Sequence, residues 1–458
     1  MRLQIVDCRL QIGRICLLLL FIAVALTLNP PEQIARAAPT MREFTLGFSG
    51  QGRPIQVVQV GDGPRKLVVV GDTHGGPEAN TYRLTVELIS YVWAHPDAVP
   101  PSVRLYLIPS LNPDGLALGT RFDGAKVDLN RNMNTNMDTC AENDWSPKVQ
   151  GARGIVSETG GPYPDSQTES RIIRAFLLDA AGAIFIHSNA GMVFPSFCEY
   201  APSILMAQAY ASGAGYTYSR YWPSYNITGG MSDWAGSMGI AAITPELETG
   251  DSSEYERNLA GLQVVLSKAE DLMPLPESGV VDDIAVPAAI YRYWRALGGR
   301  ERFGSPLAPA RTDNTGITQI FTNAALQLRN DLADTPYYVQ PAPLGRDAAE
   351  SLAFGGADSR TPGDPARMPV FFAASDHGIR GAFLDFWQRG GGVDVFGLPI
   401  SEEFTGRAAD GQVRVLQSFE RAVLAYYRED GGVRLEPLGL RAQTLEALAL
   451  PVAPQTVR

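Results

Sequence analysis

Two of the chain's four histidines follow apolar runs that end in loops of small or polar residues. His74 follows residues 67–70, His187 follows residues 183–186, and the carboxylate of Glu78 comes four positions after His74. Open α/β sheets display catalytic groups at the carboxyl ends of their strands. Two imidazoles with one carboxylate are a ligand set of catalytic zinc sites. One histidine after a strand is more often an ordinary loop residue, so it is the pair with a carboxylate that favours a metal site.

The segment between the two histidines carries residues suited to binding a carboxylate. Arg121, Asn130 and Arg131 lie in turn-rich sequence after a predicted strand. The planar guanidinium of arginine matches a carboxylate group. Further along, an apolar run over residues 239–243 predicts another strand, and we expect Glu246 just past its end. The alternative reading is a set of surface loops with ordinary arginines.

Several short motifs follow one another along the chain. They are His74 with Glu78, Asn112-Pro113-Asp114-Gly115, Asp128-Leu129-Asn130-Arg131-Asn132, His187-Ser188, Tyr225 ahead of Gly229-Gly230 and Asp233-Trp234, and Thr244-Pro245-Glu246-Leu247. In this order and spacing, over residues 44–275, they resemble the zinc carboxypeptidase family of the carboxypeptidase A and B type. The resemblance implies that His74, Glu78 and His187 bind one Zn²⁺ ion. It also implies that Glu246 is the general base and that Arg121 stabilises the oxyanion.

The resemblance also implies how a substrate is held. Asn130 and Arg131 would bind the free C-terminal carboxylate of a peptide, and Tyr225 would close over it. Ser232 matches the position that faces the terminal side chain, and it does not support a strict preference for lysine or arginine ends. We therefore expect a secreted zinc metallocarboxypeptidase that acts on peptide or protein C-termini. The alternatives are a murein peptide hydrolase of the same family and an inactive peptide-binding protein on this fold.

The first ligand pair departs from the usual His-x-x-Glu spacing of the family. One extra residue lies between His74 and Glu78, in the segment Gly75-Gly76-Pro77. Glycine permits positive φ, so a wider turn is expected to bring Glu78 to the metal. The alternatives are that Asp72 replaces Glu78, or that the site is remodelled or inactive.

Residues 1–37 resemble a secretory signal peptide. Basic residues precede an apolar run over residues 15–28, and Ala35-Arg36-Ala37 is a candidate cleavage site. The alternative is a membrane anchor, but a spanning helix needs about 20 apolar residues. In the oxidising setting that secretion implies, Cys140 and Cys198 are expected to form a disulfide rather than remain free thiols. The net charge of −11 argues against nucleic acid as the main partner.

Alternating strands and helices predict an α/β fold for residues 44–275. We expect a mixed, mainly parallel open sheet with helices on both faces, and a small repeat-containing region after it. Strands are predicted over residues 55–60, 67–71, 103–109, 183–187 and 239–243. Helices are predicted over residues 82–94, 166–178 and 251–273.

The C-terminal part of the chain contains an internal repeat. Trp294 and Phe303-Gly304-Ser305-Pro306 recur as Trp387 and Phe396-Gly397-Leu398-Pro399. This predicts a linker over residues 276–288, module 1 over 289–352, a second linker over 353–369 and module 2 over 370–447, each module with a short helix, a turn and a few strands. The modules loosely resemble LGFP-type repeats of secreted bacterial proteins, which implies attachment to a cell-wall or surface glycan. The alternative is that their aromatic residues only build two small cores. On either reading, residues 279–458 are expected to be dispensable for hydrolysis of small peptides.

Overall fold

Strands β3 (Arg65–Val70) and β4 (Val103–Ile108) lie at the centre of the structure, a computed structural model that describes residues 39–151, 154–351, 354 and 363–449. Both strands are mainly apolar, over residues 67–70 and 105–108, which is typical of strands buried on both faces. Val68 and Val70 pack into one core, whereas Leu67 and Val69 pack into another on the opposite face. The sheet therefore separates two hydrophobic cores.

Nine strands form this sheet. The others are β1 (Met41–Phe48), β2 (Pro54–Val60), β7 (Gly182–Phe185), β8 (His187–Ser188), β9 (Met192–Pro195), β10 (Thr217–Tyr218) and β11 (Ala241–Leu247). The order is β1-β2-β4-β3-β7-β11-β9-β10, with β8 paired to β11. Strands β4, β3, β7 and β11 are parallel, whereas β1 and β2 form an antiparallel edge and β9 runs antiparallel to β11. The predicted mixed, mainly parallel sheet is confirmed. A separate hairpin pairs β5 (Val149–Gln150) with β6 (Val156–Ser157).

Helices cover both faces of the sheet. They are α1 (Ala79–Ala94), α2 (Pro113–Leu118), α3 (Thr168–Phe176), α4 (Ala201–Ala214), α5 (Met231–Ser237), α6 (Tyr255–Ser267) and α7 (Ala269–Leu272). Leu88, Met206 and Leu262 place α1, α4 and α6 on one face, and Ile173 and Trp234 place α3 and α5 on the other. The sequence did not predict α4, because its apolar residues show little helical periodicity.

Two sets of elements follow, with the same order. The first set is β12 (Gly279–Val281), β13 (Ile284–Val286), α8 (Ala288–Ala296), α9 (Gly299–Phe303), β14 (Arg311–Thr312), β15 (Gly316–Ile320), β16 (Ala325–Arg329), β17 (Val339–Pro341) and α10 (Leu344–Glu350). The second set is β18 (Val370–Phe372), β19 (His377–Ile379), α11 (Gly381–Arg389), α12 (Gly392–Phe396), β20 (Phe404–Arg407), β21 (Val413–Ser418), β22 (Val423–Tyr427), β23 (Gly432–Leu435) and α13 (Leu438–Ala449). Each set contains a hairpin, two helices, a four-stranded antiparallel sheet and a closing helix. The first hairpin occupies much of the segment predicted as the linker 276–288; the domain boundaries themselves stay a prediction.

Repeated side chains make equivalent bonds in the two modules. Trp294 donates its indole N–H to the carbonyl of Gly304 at 3.0 Å, and Trp387 donates to the carbonyl of Gly397 at 3.1 Å. The closing helix of each module contacts the other module. In α10 of the first module, Arg346 N donates to Glu420 O at 3.0 Å, and in α13 of the second module, Leu440 N donates to Thr322 O at 3.0 Å. Each module therefore packs its last helix against the other.

The predicted signal peptide over residues 1–37 lies outside the described residues. Within the described part of the chain, no helix combines the length and the apolar composition that crossing a bilayer requires.

Candidate active site

The imidazoles of His74 and His187 and the carboxylate of Glu78 meet at the carboxyl end of the sheet. The two Nδ1 atoms are 3.1 Å apart, and they lie 2.7 Å from Oε1 and 3.1 Å from Oε2 of Glu78, respectively. All three side chains are buried. Donors that share a tetrahedral zinc at about 2.0–2.1 Å lie about 3.3 Å from one another, so these separations fit a single ion. The structure thus brings together all three residues that the sequence predicted as ligands.

The glycines between His74 and Glu78 explain how the carboxylate of Glu78 comes close to the two histidines. Gly75 has φ of 53°, and the next three residues form a single 3₁₀ turn that ends at Glu78. A Cβ atom at Gly75 would collide with Gly115 and with the carbonyl of Thr120. The turn therefore needs glycine both for its backbone angle and for its close approach to a neighbouring loop.

Asp72, the alternative ligand, is engaged elsewhere. Its carboxylate accepts a hydrogen bond from Ser110 Oγ, and burial raises the pKa of Asp72 to about 8. The pKa of Glu78 shifts the other way. Burial alone would raise it, but His74 and His187 outweigh burial and hold the pKa of Glu78 well below its ordinary value. Of the two carboxylates, Glu78 is therefore the one that lies against both histidines.

Asp128 is a site residue to which the sequence assigned no role. Its Oδ1 lies 3.1 Å from Nε2 of His74, the ring nitrogen that faces away from Glu78. A carboxylate in this position sets the tautomer and the orientation of a ligand histidine. Arg121 and His74 outweigh burial and hold the pKa of Asp128 well below its ordinary value. Asp128 opens the Asp-Leu-Asn-Arg-Asn motif, but only the folded loop shows which histidine it reaches.

Arg121 lies against the three-residue cluster. Its Nε donates to Oδ2 of Asp128 at 2.9 Å, and its Nη1 donates to Oε1 of Glu78 at 3.3 Å. Burial lowers the pKa of Arg121, but the carboxylates of Asp128 and Glu78 more than offset this and raise it. A permanent cation therefore lies beside the candidate metal ligands.

Glu246 lies inside β11 and not past its end, so the expectation from the sequence was wrong on this point. The strand continues to Leu247 because it pairs with β8 and β9 beyond the apolar run. Oε2 of Glu246 is buried without a hydrogen-bond partner among the described residues. Burial, reinforced by Glu78 and opposed by His187, raises the pKa of Glu246 to about 7. A carboxylate with this pKa can both accept and return a proton near neutral pH.

A polar cavity of about 220 Å³ joins these groups to the residues predicted to bind substrate. The predicted site residues that line it are His74, Glu78, Arg121, Asn130, Arg131, Tyr225 and Glu246. Arg131 is buried, its Nη1 donates to the carbonyl of Asn130 at 2.9 Å, and its Nε has no partner among the described residues. Backbone N–H of Met231 donates to the side-chain oxygen of Asn130 at 2.9 Å, which orients that amide. His187 lies behind this lining, and its Nδ1 atom contacts the carboxylate of Glu78.

A second cavity, of about 430 Å³, adjoins the first, since Asn130, Tyr225 and Glu246 line both. Ser232 lines this second cavity, and its hydroxyl accepts a hydrogen bond from Thr244 Oγ1 at 3.0 Å. The other lining residues include the aromatic side chains of Phe194, Phe197, Tyr221 and Trp222. This cavity offers room for a side chain beside the polar site.

The predicted disulfide between Cys140 and Cys198 is confirmed. The two Cα atoms are 5.9 Å apart, and the bond closes a sequence separation of 58 residues. Cys140 lines the second cavity, and Cys198 follows Phe197, which lines it too. The disulfide therefore joins two loops that form one wall of that cavity.

Comparison with known families agrees with this geometry. Residues 31–202 match the family model described as zinc carboxypeptidase, so this part of the chain carries a domain of that family. The match confirms the resemblance drawn from the motifs and the zinc dependence that it implies. It includes the three candidate ligands, and it ends before Tyr225 and Glu246.

The curated relatives match over limited stretches. Carboxypeptidase SOL1 of Arabidopsis thaliana is 28% identical over 110 residues, which is 21% of this chain and 22% of that protein. Carboxypeptidase D of Mus musculus is 25% identical over 242 residues, which is 42% of this chain and 16% of that protein. The chain thus spans about a fifth of the length of these relatives.

Two solved structures are also similar over about half of the chain. The crystal structure of thrombin activatable fibrinolysis inhibitor has a TM-score of 0.41 at 18% identity, covering 51% of this chain and 69% of that chain. Murein-tripeptide amidase MpaA from Escherichia coli O157 has a TM-score of 0.38 at 21% identity, covering 51% of this chain and 96% of that chain.

Proposed function

We propose that this protein is a secreted zinc carboxypeptidase that hydrolyses the C-terminal peptide bond of peptides. The observation that carries the proposal is the cluster of two histidines and a glutamate at a cavity that Glu246, Arg121 and Arg131 also line. The donor set of two nitrogens and one carboxylate suits zinc with one position left open.

His74, Glu78 and His187 would hold the ion, with Asp128 orienting His74 from behind. Zinc in such sites supplies Lewis acidity and lowers the pKa of water to about 7. Glu246 would take the proton from the attacking water and pass it to the nitrogen of the leaving amine. Its unpartnered Oε2 and its pKa of about 7 support this role.

Arg121 would donate hydrogen bonds to the scissile carbonyl oxygen as negative charge develops there, an effect worth about 3–4 kcal/mol per donor. Arg131 and Asn130 would bind the terminal carboxylate, for which the unpartnered Nε of Arg131 supplies a donor. Tyr225 borders both cavities and would cover the bound end of the peptide.

Secretion is part of the proposal. It rests on the signal-like pattern of residues 1–37 and on the Cys140–Cys198 bond, because disulfides persist mainly in oxidising compartments.

Zinc content and hydrolysis of a blocked dipeptide test the proposal. We expect one zinc per chain with cleavage in the wild type, and loss of both in Glu78→Ala. Glu87→Ala removes an exposed glutamate of α1 and serves as the matched control. Zinc without cleavage of blocked dipeptides, but with cleavage of murein peptides, would identify the murein hydrolase. A folded wild type with neither metal nor activity would favour the alternative of an inactive peptide-binding protein.

A further inference from the structure

Arg292 lies on α8, the first helix of the repeat region, yet its side chain is buried in the α/β region. The guanidinium donates to four main-chain carbonyls: Nε to Met238 at 2.9 Å, Nη1 to Leu178 at 3.1 Å and to Ala180 at 2.7 Å, and Nη2 to Gly239 at 2.9 Å. Arg292 is 5% exposed. The pKa of Arg292 is lowered by burial, to about 10, so the side chain remains a cation at neutral pH.

These four carbonyls belong to two turns that follow helices. Leu178 and Ala180 come after α3, and Met238 and Gly239 come after α5. The last carbonyls of a helix lack intrahelical partners and carry the negative end of its dipole. One guanidinium therefore bonds the turns that follow two helices, near the negative ends of their dipoles, where a cationic side chain is favourable.

Each of the two turns leads directly into a strand that delivers a site residue. After Ala180 the chain enters β7 and then β8, which carries His187, and after Gly239 it enters β11, which carries Glu246. The two strands are adjacent and parallel, with Ala241 opposite Gly182 and Glu246 opposite His187. Arg292 therefore joins the amino ends of the two strands whose carboxyl ends hold a candidate ligand and the candidate base.

The internal repeat shows that the module's own fold does not need this arginine. Aligned on Trp294 and Trp387, Arg292 corresponds to Asp385 of α11. The side chain of Asp385 is 67% exposed and pairs with Arg389. The two helices have the same length and place their tryptophans on equivalent glycine carbonyls, so the buried arginine serves the contact with the α/β region.

Other contacts hold module 1 in the same place. Arg295, one turn further along α8, donates to the carbonyl of Ser237 at the end of α5 at 3.1 Å. Asp334 accepts hydrogen bonds from Tyr106 of β4 and from Arg42 of β1. Tyr293 and Trp234 belong to one continuous hydrophobic core.

We propose that Arg292 is a positioning residue of the active site, which sets the placement of His187 relative to Glu246 by clamping β7 and β11. This proposal rests on the proposed function. It reverses the expectation that residues 279–458 are dispensable for hydrolysis. Module 1 is then required for the geometry of the active site.

The test compares Arg292→Met and Arg292→Lys with Arg300→Met in the full chain. Arg300 is the matched control because it lies in the same module and makes an exposed pair with Asp282. Hydrogen exchange of the metal-free protein is measured over residues 182–188 and 241–247, followed by zinc affinity and by kcat and KM on a blocked dipeptide. Circular dichroism establishes which variants are folded.

For Arg292→Met we expect exchange in both segments to become about tenfold faster and zinc affinity to fall about tenfold, as for other residues that support metal ligands. The value of kcat should fall about tenfold while KM stays within about twofold, because Arg131 is untouched. Arg292→Lys should recover part of each loss, and Arg300→Met should match the wild type.

Unchanged exchange and zinc affinity in folded Arg292→Met would overturn the proposal. If Arg292→Met does not fold, Arg292→Lys decides by the same two measurements. Failure of both variants to fold, with Arg300→Met folded, would overturn it in favour of a purely structural role. Hydrogen exchange and zinc affinity do not depend on peptidase activity. An inactive wild type would therefore refute the proposed function, while these two measurements would still test the role of Arg292.

Discussion

Glu246 of β11 and His187 of β8 are directly opposite each other in a parallel strand pair. Residues opposite each other in a sheet project from the same face, so the two side chains lie on the face of the sheet that bears the candidate site. A slip of one residue in this register would turn Glu246 to the other face of the sheet. The relation between the candidate base and the candidate ligand is thus set by main-chain pairing.

Glu246→Gln should lower kcat by several orders of magnitude and leave zinc content unchanged, because glutamine cannot accept the proton of water. Steady-state kinetics and metal analysis on the same preparation check both halves of this prediction. Glu248→Gln is the matched control, since Glu248 is exposed and pairs with Arg257. A near-normal rate in Glu246→Gln would remove Glu246 from the role of base.

Arg131→Ala should weaken action on peptides with a free C-terminus much more than on peptides with an amidated one. Hydrogen bonds to a charged group contribute about 1.5–3 kcal/mol, so kcat/KM for the free acid should fall about 10–100-fold. Matched pairs of free and amidated peptides make this comparison within one variant. Equal losses on both members of a pair would contradict the carboxylate-binding role.

Asp128→Asn should reduce zinc affinity about 10–100-fold, because the carboxylate that orients His74 becomes a neutral amide. Competition with a metal chelator measures the affinity directly. The control is Asp97→Asn, which changes an exposed aspartate after α1. If both variants hold zinc equally well, Asp128 does not act through His74.

Replacing Cys140 and Cys198 together by serine should lower the free energy of unfolding. A disulfide across a separation of 58 residues lowers the conformational entropy of the unfolded chain, which contributes about 4 kcal/mol to the free energy of unfolding in the chain-entropy model. Urea unfolding of the oxidised wild type and the double variant gives the difference, and the wild type unfolded with a thiol reductant should match the variant. Coinciding midpoints for the oxidised wild type and the variant would show that the bond adds no stability.

Much of the site could be predicted because its residues follow recognisable strands. The apolar runs before His74 and His187 correspond to β3 and β7, and parallel strands bring their carboxyl ends to one edge. The position of Glu246 was less well predicted: an apolar run shows where a strand is buried, whereas its end depends on the strands beside it. Asp128 was missed for a related reason, since its role is defined by a contact 54 residues away along the chain.

The repeat was visible in the sequence, but its packing was not. The tripeptide Pro-Leu-Gly also recurs, at residues 343–345 and 437–439, where the two closing helices begin. A Cβ at either glycine would collide with a main-chain carbonyl of the other module, at Phe419 and at Phe321, respectively. These motifs therefore mark the helices by which the two modules contact each other.

The sequence by itself determined the candidate site residues and the fold class: a family-type order of histidines, carboxylates and arginines, an α/β pattern and two repeated modules. Residue types and local periodicity are properties of neighbouring positions, so a single chain displays them. The tertiary structure alone decided that Asp128 contacts His74, that Glu246 lies opposite His187, and that Arg292 of the repeat region bonds the turns that precede two strands of the site. Each of these is a contact between residues that are distant along the chain, and such contacts exist only when the chain folds.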